Sequence, residues 1–212
     1  MATVRLDPAG IPFITATLVL AVLAGGALTW AWAVPFVALG VFIAFFFRDP
    51  DRLADPAVGN DAVLSPADGR VLVAGPAFAE APAGRWQQIS IFLSPLDVHV
   101  NRVPISGRVT RISFTRGRFL PAYRQDAGRD NERSEIWIDH RGQAVVARQI
   151  VGILARRVVC RLESGTDVRA GDRLGIMKFG SRMDVFVPVN ATIEVTVGQT
   201  VRGGETVIAV LH

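Results

Sequence analysis

Residues 184–198, DVFVPVNATIEVTVG, predict the class of the fold. Apolar residues alternate with polar or smaller ones in DVFVPV (184–189) and again in TIEVTVG (192–198). This two-residue period is typical of half-buried strands. The residues between the two runs are enough for only a short turn. We therefore expect two strands joined by a turn in this part of the chain.

The same pattern recurs over most of the chain beyond residue 50. Short β-branched runs are separated by Gly, Pro and Asp at intervals of about ten residues, which favours a mainly β barrel or sandwich. The other runs are RVLVAG (70–75), QISIFLS (88–94), GRVTRISF (107–114), SEIWID (134–139) and AVVARQIVG (144–152). Residues 149–162 are ambiguous between strand and helical turn. Residues 115–133 predict a long loop or a pair of loops, and loops of this length are often functional or mobile.

Two segments of the chain resemble each other. SPADGRVLVAG (65–75) and VPVNATIEVTVGQ (187–199) share a proline, a short turn and an alternating strand that ends at glycine. Together with the Gly-rich stretches 164–175 and 198–207, this resembles the hammerhead β-barrel of lipoyl and biotinyl carrier domains, in which two similar halves each supply a turn and strands. We therefore predict a mainly β, hammerhead or lipoyl-like barrel or sandwich over residues 51–212.

The N-terminal segment, residues 1–50, has a different composition. No charged residue lies between Asp7 and Arg48, and this stretch is too long for one crossing at about 20 residues per span. A hydrophobic helical hairpin with spans near 12–29 and 32–47 is favoured, because tryptophans at its turn suit a membrane interface. A re-entrant or interfacial helix pair is the alternative. A cleaved signal peptide is disfavoured by the length of the apolar region.

Charge and cysteine content predict the location of the protein. Arg48 and Arg52 directly follow the second apolar span, so the positive-inside rule places the β-rich part on the cytoplasmic side of the cell membrane. The single cysteine, Cys160, cannot form an internal disulfide, and its apolar neighbours predict a buried, inert thiol.

The basic residues indicate a partner class. Lys178 is the only lysine among the 23 basic residues, and arginine beside a membrane anchor suits anionic lipid head groups and phosphate. Nucleic acid is disfavoured, because the arginines are scattered rather than gathered on one face. The glycine patterns of nucleotide sites are absent, and three histidines with one cysteine argue against a metal site.

Three histidines are candidates for chemistry. His212 is terminal, and His140 in IDHRGQ is expected to be an exposed turn residue. His99 alternates with Asp97 and Asn101, so a strand would project all three on one face. A solvated polar strand face is the structural alternative for them.

Two further positions have both a structural and a chemical interpretation. Asp68 lies in SPADGRV, where a type I turn alone would account for it. Gly180-Ser181 interrupts the apolar run KFGSRMDVF (178–186). An isolated glycine in a strand usually marks a bulge or corner, but the Gly-Ser bond is also a candidate reactive group.

Four motifs in order point to one family. SPADGRV (65–71), LSPLDVHVNRVP (93–104), NER (131–133) and FGSR (179–182) follow an apolar N-terminus that ends in FFFRDP. This arrangement resembles the phosphatidylserine decarboxylases, in the short form found in many bacteria and archaea, and the resemblance covers essentially the whole chain.

The resemblance implies a proenzyme that cuts itself between Gly180 and Ser181. It implies a β chain, 1–180, that carries the membrane anchor, and an α chain, 181–212, that begins with a pyruvoyl group made from Ser181. No pyridoxal phosphate or metal is implied. The substrate would be phosphatidylserine and the product phosphatidylethanolamine, and the α and β chains would stay together, with homo-oligomers possible.

The resemblance also implies roles for single residues. His99 would be the base for self-cleavage and the acid for decarboxylation, and Asp68 would orient it. Many longer members carry a second histidine where this chain has Arg102, so either His99 serves both steps or Arg102 takes part of the substrate contact. Asp97 either orients His99 or caps the strand. Arg182, Asn131, Glu132 and Arg133 either line the site or satisfy buried polar groups.

Two other functions remain open from the sequence. IMKFGS around Lys178 resembles the attachment lysine of biotinyl carriers, which favours a membrane-anchored carrier or adaptor domain. A structural envelope protein, with Gly180-Ser181 as a simple corner, is the third. Neither alternative predicts a chain break at Ser181.

Overall fold

The apolar N-terminus and the β-rich remainder form separate compact units, Met1–Asp51 and Arg52–His212. The computed structural model describes residues 4–52, 58–78, 81–153, 158–178 and 180–212. The mainly β fold with an N-terminal apolar helix pair, predicted from the sequence, is confirmed.

The N-terminal unit is a helical hairpin closed by a two-stranded ribbon. Its elements are β1 (Val4–Leu6), a 3-10 turn (Pro8–Gly10), α1 (Ile11–Ala27), a second 3-10 turn (Trp30–Trp32), α2 (Ala33–Phe46) and β2 (Arg48–Pro50), and β1 pairs antiparallel with β2. The Asp7 side chain accepts a hydrogen bond of 2.9 Å from the N–H of Ala9, and Pro8 follows it, the combination that starts helices. The Phe13 ring stacks on that of Phe47 at 5.9 Å.

The length of the helices bears on the membrane. The helical run Pro8–Ala27 has 20 residues and is apolar and long enough to cross a bilayer, whereas Trp30–Phe46 is apolar but shorter. Most of the first helix is exposed within the protein, which suits contact with lipid better than a role in a soluble core.

The second unit is built on a large antiparallel sheet. Eight strands follow the order β11-β7-β8-β9-β13-β5-β4-β15, and two three-stranded sheets have the orders β10-β12-β6 and β14-β16-β3. The elements are β3 (Ala62–Leu64), β4 (Gly69–Pro76), β5 (Trp86–Leu93), β6 (Val100–Arg102), β7 (Gly107–Thr115), α3 (Ala127–Asp130), β8 (Arg133–His140), β9 (Gln143–Ile150), β10 (Val158–Cys160), β11 (Asp167–Val168), β12 (Arg173–Met177), β13 (Ser181–Pro188), β14 (Thr192–Ile193), β15 (Thr200–Val201) and β16 (Val207–Val210).

Strand β13 lies in the middle of the large sheet, between β5 and β9. Its odd-numbered residues, such as Met183 and Val185, are fully buried in the main hydrophobic core. Its even-numbered residues Arg182 and Asp184 project to the opposite face. We call these the inner and the outer face of the sheet. Burial of each core side chain contributes about 1.5–3 kcal/mol to stability, so the register of β13 is strongly fixed.

The quoted stretch 184–198 differs from expectation in its second half. In this half, only Thr192–Ile193 is strand, because residues 196–199 form a turn. The Gln199 N–H donates a hydrogen bond to the Thr196 carbonyl, and the Gln199 side chain accepts one from the Thr196 N–H. The two similar segments of the sequence meet here, since Val71 exchanges backbone hydrogen bonds with Gly198 and Gln199.

The long segment 115–133 is partly ordered by local structure. It contains α3 and an isolated bridge between Arg118 and Asn131. The ambiguous run 149–162 is strand at both of its described ends, in β9 and β10; residues 154–157 lie outside the described residues.

Candidate active site

The Gly180-Ser181 pair lies at the start of the central strand. Ser181 is the first residue of β13, pairs with Leu93 of β5 and is fully buried. Gly180 has φ +68°, a left-handed conformation that glycine adopts without the steric cost of a side chain. The sequence places a glycine where the chain needs this conformation, directly before a buried serine.

The inner face around Ser181 carries polar side chains within an apolar core. Gln149 of β9 lies opposite Met183, which makes it a diagonal neighbour of Ser181, within reach of a long side chain. The Gln149 Nε2 donates a hydrogen bond of 2.8 Å to Asn101 Oδ1 on β6. His99 precedes Asn101 by two residues and projects from the same side of its segment. All four side chains are fully buried.

Several atoms of this cluster lack a hydrogen-bond partner. Within the described part of the chain, Ser181 Oγ, Asn101 Nδ2 and Gln149 Oε1 are buried and no group bonds to them. Buried polar atoms are nearly always paired, and those that are not need a functional or structural reason. A cluster of three such atoms beside one Gly-Ser bond indicates a reactive or binding site.

The ring of His99 is held by its own segment. Its Nδ1 lies 3.0 Å from the carbonyl oxygen of Asp97, and a carbonyl only accepts, so Nδ1 carries the proton of the neutral ring. The lone pair is therefore on Nε2, which makes this atom the base. The Asp97 carboxylate accepts a hydrogen bond of 2.7 Å from the Ser94 N–H. Asp97 thus both closes the turn and, through its backbone, orients His99.

The carbonyl group of Gly180 packs against a second glycine. A Cβ on Gly152 would lie 1.9 Å from the Gly180 oxygen and 3.0 Å from its carbonyl carbon. These distances are far below van der Waals contact, so only glycine fits at position 152. Gly152 follows β9 by two residues, and its lack of a side chain allows the close approach of the carbonyl that precedes Ser181. This residue was not among those predicted from the sequence.

Asp68 has partners other than the one expected. Its carboxylate binds the Arg52 guanidinium through both oxygens, one at 2.7 Å, and accepts a hydrogen bond of 2.8 Å from the Gly203 N–H. The reason is local: Asp68 ends the turn that precedes β4, next to the loop of residues 202–206. This turn reaches the site through its backbone, because the Pro66 carbonyl accepts from the Arg102 N–H at 2.8 Å.

Arg102 lies on the other side of β6 from His99 and Asn101. It is three residues from His99 in an extended segment, where side chains alternate between the two sides. Its Nη1 donates to the Gly171 carbonyl at 3.3 Å, and its Cγ lies 3.5 Å from the place of a Cβ on Gly204. These contacts give no support to the expectation that Arg102 takes part of the substrate contact.

Arg182 belongs to a buried network on the outer face. Its guanidinium binds the Asp184 carboxylate through two hydrogen bonds, of 2.6 and 2.7 Å, and donates to the Arg124 carbonyl. Gln88 donates to both Asp184 and Ser90. The positive charge of Arg182 is therefore matched by a carboxylate. This network holds the segment before α3 against the sheet.

Asn131 is a structural clamp. Its side-chain amide accepts from the Leu120 N–H and donates to the carbonyls of Leu120 and Val151, all at 2.8–2.9 Å. It ties the 118–122 loop to Val151, the residue before Gly152. Glu132 continues this tie, because its carbonyl accepts from the Val151 N–H at 3.1 Å. Arg133 lies at the start of β8, with Glu135 3.8 Å away.

We expect Asn131→Ala to lower the free energy of unfolding by about 1–3 kcal/mol, because the buried Val151 carbonyl and two partly buried backbone groups of Leu120 lose their partner. Thermal and urea unfolding of the full chain in detergent measure this. Gln125→Ala, in the same loop but exposed, serves as the control and should change stability little. Equal stability of both variants would contradict the clamp.

An apolar groove of about 350 Å³ runs to Gly180. It is lined by Phe92, Pro95, Pro121, Ala122, Tyr123, Ile153 and Gly180. This volume is typical of small-molecule sites. The groove makes Gly180, the residue before Ser181, accessible to an apolar ligand from outside.

The remaining candidates lie apart from this cluster. His140 is 5% exposed rather than an exposed turn residue, because it ends β8 and its ring bonds the Ser106 carbonyl and the Asp61 carboxylate. That bond lowers the pKa of Asp61. Cys160 is half-buried, and burial raises the pKa of its thiol. Among the described residues, no group of three or more His, Cys, Asp or Glu forms a metal site.

Comparison with known proteins identifies the family. A family model described as phosphatidylserine decarboxylase matches residues 39–209. The chain belongs to the phosphatidylserine decarboxylase family. It is therefore an enzyme that removes CO2 from phosphatidylserine, and the recognition of the family from four ordered motifs is confirmed.

Individual relatives agree over most of their length. The phosphatidylserine decarboxylase proenzyme of Prosthecochloris aestuarii is 44% identical to this chain, over 80% of this chain and 77% of its own length. The proenzyme of Salinibacter ruber is 43% identical, over 88% of this chain and 86% of its own length. The proenzyme of Chlorobium limicola is 40% identical over 96% of this chain and 99% of its own. All three are named as proenzymes, which implies processing of these relatives.

Proposed function

We propose that the chain cuts itself between Gly180 and Ser181, and that residue 181 then becomes the pyruvoyl group with which it decarboxylates phosphatidylserine. The observation that carries this proposal is the environment of Ser181. Its hydroxyl is buried without a partner among the described residues, beside a glycine carbonyl that approaches Gly152 so closely that a Cβ there would clash. A simple strand corner requires neither feature.

The cleavage chemistry uses only groups of this chain and one water. Ser181 Oγ attacks the carbonyl carbon of Gly180, the C–N bond breaks, and the nitrogen takes up a proton, which leaves an ester. Loss of the Ser181 α-proton then expels the Gly180 carboxylate and leaves a dehydroalanine. Water hydrolyses the dehydroalanine to a pyruvoyl group and ammonia. The buried position of Ser181 suits this sequence, because it limits competing attack by water on the ester.

His99 is the proposed base for the first step. A serine hydroxyl is a weak nucleophile until a neighbouring base takes its proton. The Asp97 carbonyl holds the His99 ring as the tautomer with a basic Nε2. In the decarboxylation step, the same Nε2, once protonated, is the candidate to deliver a proton to the substrate carbon after CO2 leaves.

The residues present fit a pyruvoyl group at position 181, because the group derives from the buried serine itself and needs no other ligand. When formed, the group binds the substrate amine through its ketone and accepts the electrons released with CO2, as other electron-sink cofactors do. The surrounding core keeps bulk water away from this position. The groove beside Gly180 suits the apolar part of a lipid.

The proposed products of cleavage are a β chain of residues 1–180 and an α chain of residues 181–212. They would stay together without a peptide bond, because all four α-chain strands pair with β-chain strands or with one another. Residues 1–50 would hold the enzyme in the cell membrane, with residues 51–212 on the cytoplasmic side. Anchoring keeps the enzyme next to its lipid substrate.

Treatment with sodium borohydride tests the proposed group directly. We expect the reagent to abolish decarboxylation by purified wild-type protein and to add about 2 Da to the α chain only, since the ketone becomes an alcohol. The β chain, which carries Lys178, is the internal control for non-specific reaction. Full activity after treatment, without a mass change, would contradict the proposal.

The role of Asp68 is tested by comparing it with its partner. If Asp68 acts by holding Arg52 and the turn that supports β6, Asp68→Asn and Arg52→Met should slow self-cleavage to a similar extent. The double variant should then be cut no more slowly than either single variant. Time courses of cleavage on denaturing gels measure this. If instead Asp68 orients His99 directly, Asp68→Asn should stop cleavage while Arg52→Met leaves it nearly intact.

A further inference from the structure

The Gln149–Asn101 pair has no role in the mechanism described so far. Both amides are fully buried, and they bond to each other across two sheets at 2.8 Å. One donor, Asn101 Nδ2, and one acceptor, Gln149 Oε1, remain without partners among the described residues. Turning both amide groups over would exchange these atoms but would still leave one donor and one acceptor.

A purely structural role does not account for this arrangement. One hydrogen bond between β6 and β9 would suffice as a tie, and apolar side chains of the same size would avoid the cost of unpaired buried atoms. The same sheet carries a satisfied buried amide on its outer face, where Gln88 bonds both Ser90 and Asp184. The unpaired atoms of the Gln149–Asn101 pair lie instead on the side that carries Ser181.

We propose that Asn101 and Gln149 bind the amino-acid end of the phosphatidylserine head group: Asn101 donates a hydrogen bond to its carboxylate and Gln149 accepts one from its amine. The proposal rests on the proposed function in one respect, that the substrate amine must come to residue 181. Amine and carboxylate share one carbon, so a site for both must lie within a side chain's length of Ser181. Gln149 is a diagonal neighbour of Ser181, and Asn101 is bonded to Gln149.

The neutrality of the pair suits the reaction. Decarboxylation removes the negative charge of the carboxylate, so a fixed cation would stabilise the substrate more than the transition state and would slow the step. The arginines adjacent in sequence to Asn101, Gln149 and Ser181 are directed elsewhere. Arg102 lies on the other side of β6, and Arg148 and Arg182 are paired with Glu135 and Asp184. An uncharged donor positions the carboxylate without holding its charge strongly.

The proposal separates the roles of the two amides. Phosphatidylethanolamine, the product, keeps the amine but lacks the carboxylate. Asn101 should therefore contribute to binding of phosphatidylserine alone, whereas Gln149 should contribute to binding of both lipids. Such a site also favours product release.

Equilibrium binding to the full-length, self-cleaved protein in detergent tests this. Residue 181 is first reduced with borohydride so that no turnover occurs. Calorimetry then measures the dissociation constants of dihexanoyl-phosphatidylserine and dihexanoyl-phosphatidylethanolamine. We expect wild type to prefer the serine lipid at least tenfold. Asn101→Leu, in which the new side chain is nearly equal in size, should lose most of this preference. Gln149→Met should weaken the binding of both lipids while keeping the preference for the serine lipid.

Gln88→Met is the matched control, because it removes a buried amide from the opposite face, and it should leave the preference unchanged. Asn101→Ser, which keeps a small donor, should retain part of the preference even if Asn101→Leu fails to fold. Equal binding of the two lipids by wild type would overturn the proposal, as would an unchanged preference in Asn101→Leu and Asn101→Ser. Variants that fold but no longer self-cleave would assign the pair to maturation and would also overturn it.

Failure of the proposed function would look different. A wild-type chain that is uncut, or that keeps its mass and activity after borohydride, contradicts the pyruvoyl group and leaves the head-group site open to measurement. The preference for the serine lipid is then measured on untreated enzyme, as the ratio of the inhibition constant for phosphatidylethanolamine to the KM for phosphatidylserine. A ratio near one there would overturn the head-group site too.

Discussion

Gly152→Ala is expected to leave the chain uncut. The new Cβ would lie 1.9 Å from the Gly180 oxygen, so the scissile carbonyl has to move by about an ångström or more. A displacement of about 1 Å in a reacting group costs about 100-fold in rate, and the buried neighbours leave little room to compensate. We therefore expect self-cleavage to slow at least about 100-fold, measured as the fraction of uncut chain over time.

Gly59→Ala is the control for this substitution. Gly59 is exposed, has nothing within 4 Å of a Cβ and has an ordinary backbone conformation, so this variant should be cut at the wild-type rate. Thermal unfolding of both variants separates a local effect from loss of fold. A folded Gly152→Ala protein that is cut as fast as wild type would show that the carbonyl position does not limit the reaction.

His99→Ala is expected to have the second large effect. Removal of the base should slow self-cleavage about 10²–10⁴-fold, the usual contribution of a positioned general base. Time courses of cleavage for wild type and variant measure this.

His212→Asn is the matched histidine control, since His212 is exposed at the C-terminus and bonds Thr192. It should leave the rate of cleavage unchanged. A folded His99→Ala protein that is cut normally would remove His99 from the cleavage step. Arg52 and Asp68 would then be the next residues to vary.

Local patterns in the sequence predicted the elements of the fold well. The helix pair follows from the absence of charge between Asp7 and Arg48, and the strands follow from the alternation that a half-buried sheet imposes. The strand predicted at 192–198 is shorter because the side chain of Gln199 bonds back to Thr196 and ends it in a turn. Such local side-chain competition has no periodic signal.

The site was predictable only in part. Motifs predicted Gly180, Ser181 and His99 as site residues, but other side chains of the candidate site come from distant parts of the sequence. Gln149 and Asn101 are 48 residues apart, and Gly152 meets Gly180 only because β9 and β13 are neighbours. Pairing between distant strands depends on the whole topology. Gly152, the last residue of a predicted strand, carried the one local hint, since an isolated glycine there suggests a close backbone approach.

Asp68 illustrates the limit of transfer by motif. The motif identified a carboxylate beside the site, yet the structure joins it to Arg52, a residue just after the apolar helices, and to the loop at Gly203. The His99 ring bonds the backbone carbonyl of Asp97, and the orienting role of Asp68 stays a prediction that the comparison of Asp68→Asn with Arg52→Met tests. Motifs therefore identify residue types more securely than they identify contacts.

The intact masses of the purified wild-type chain and of Ser181→Ala test the central claim most directly. We predict two wild-type species that divide between Gly180 and Ser181, with the smaller lighter by one ammonia, about 17 Da, than a chain that begins with unmodified serine. Ser181→Ala should remain a single full-length species. A full-length wild type with decarboxylase activity would contradict self-cleavage and the pyruvoyl group together.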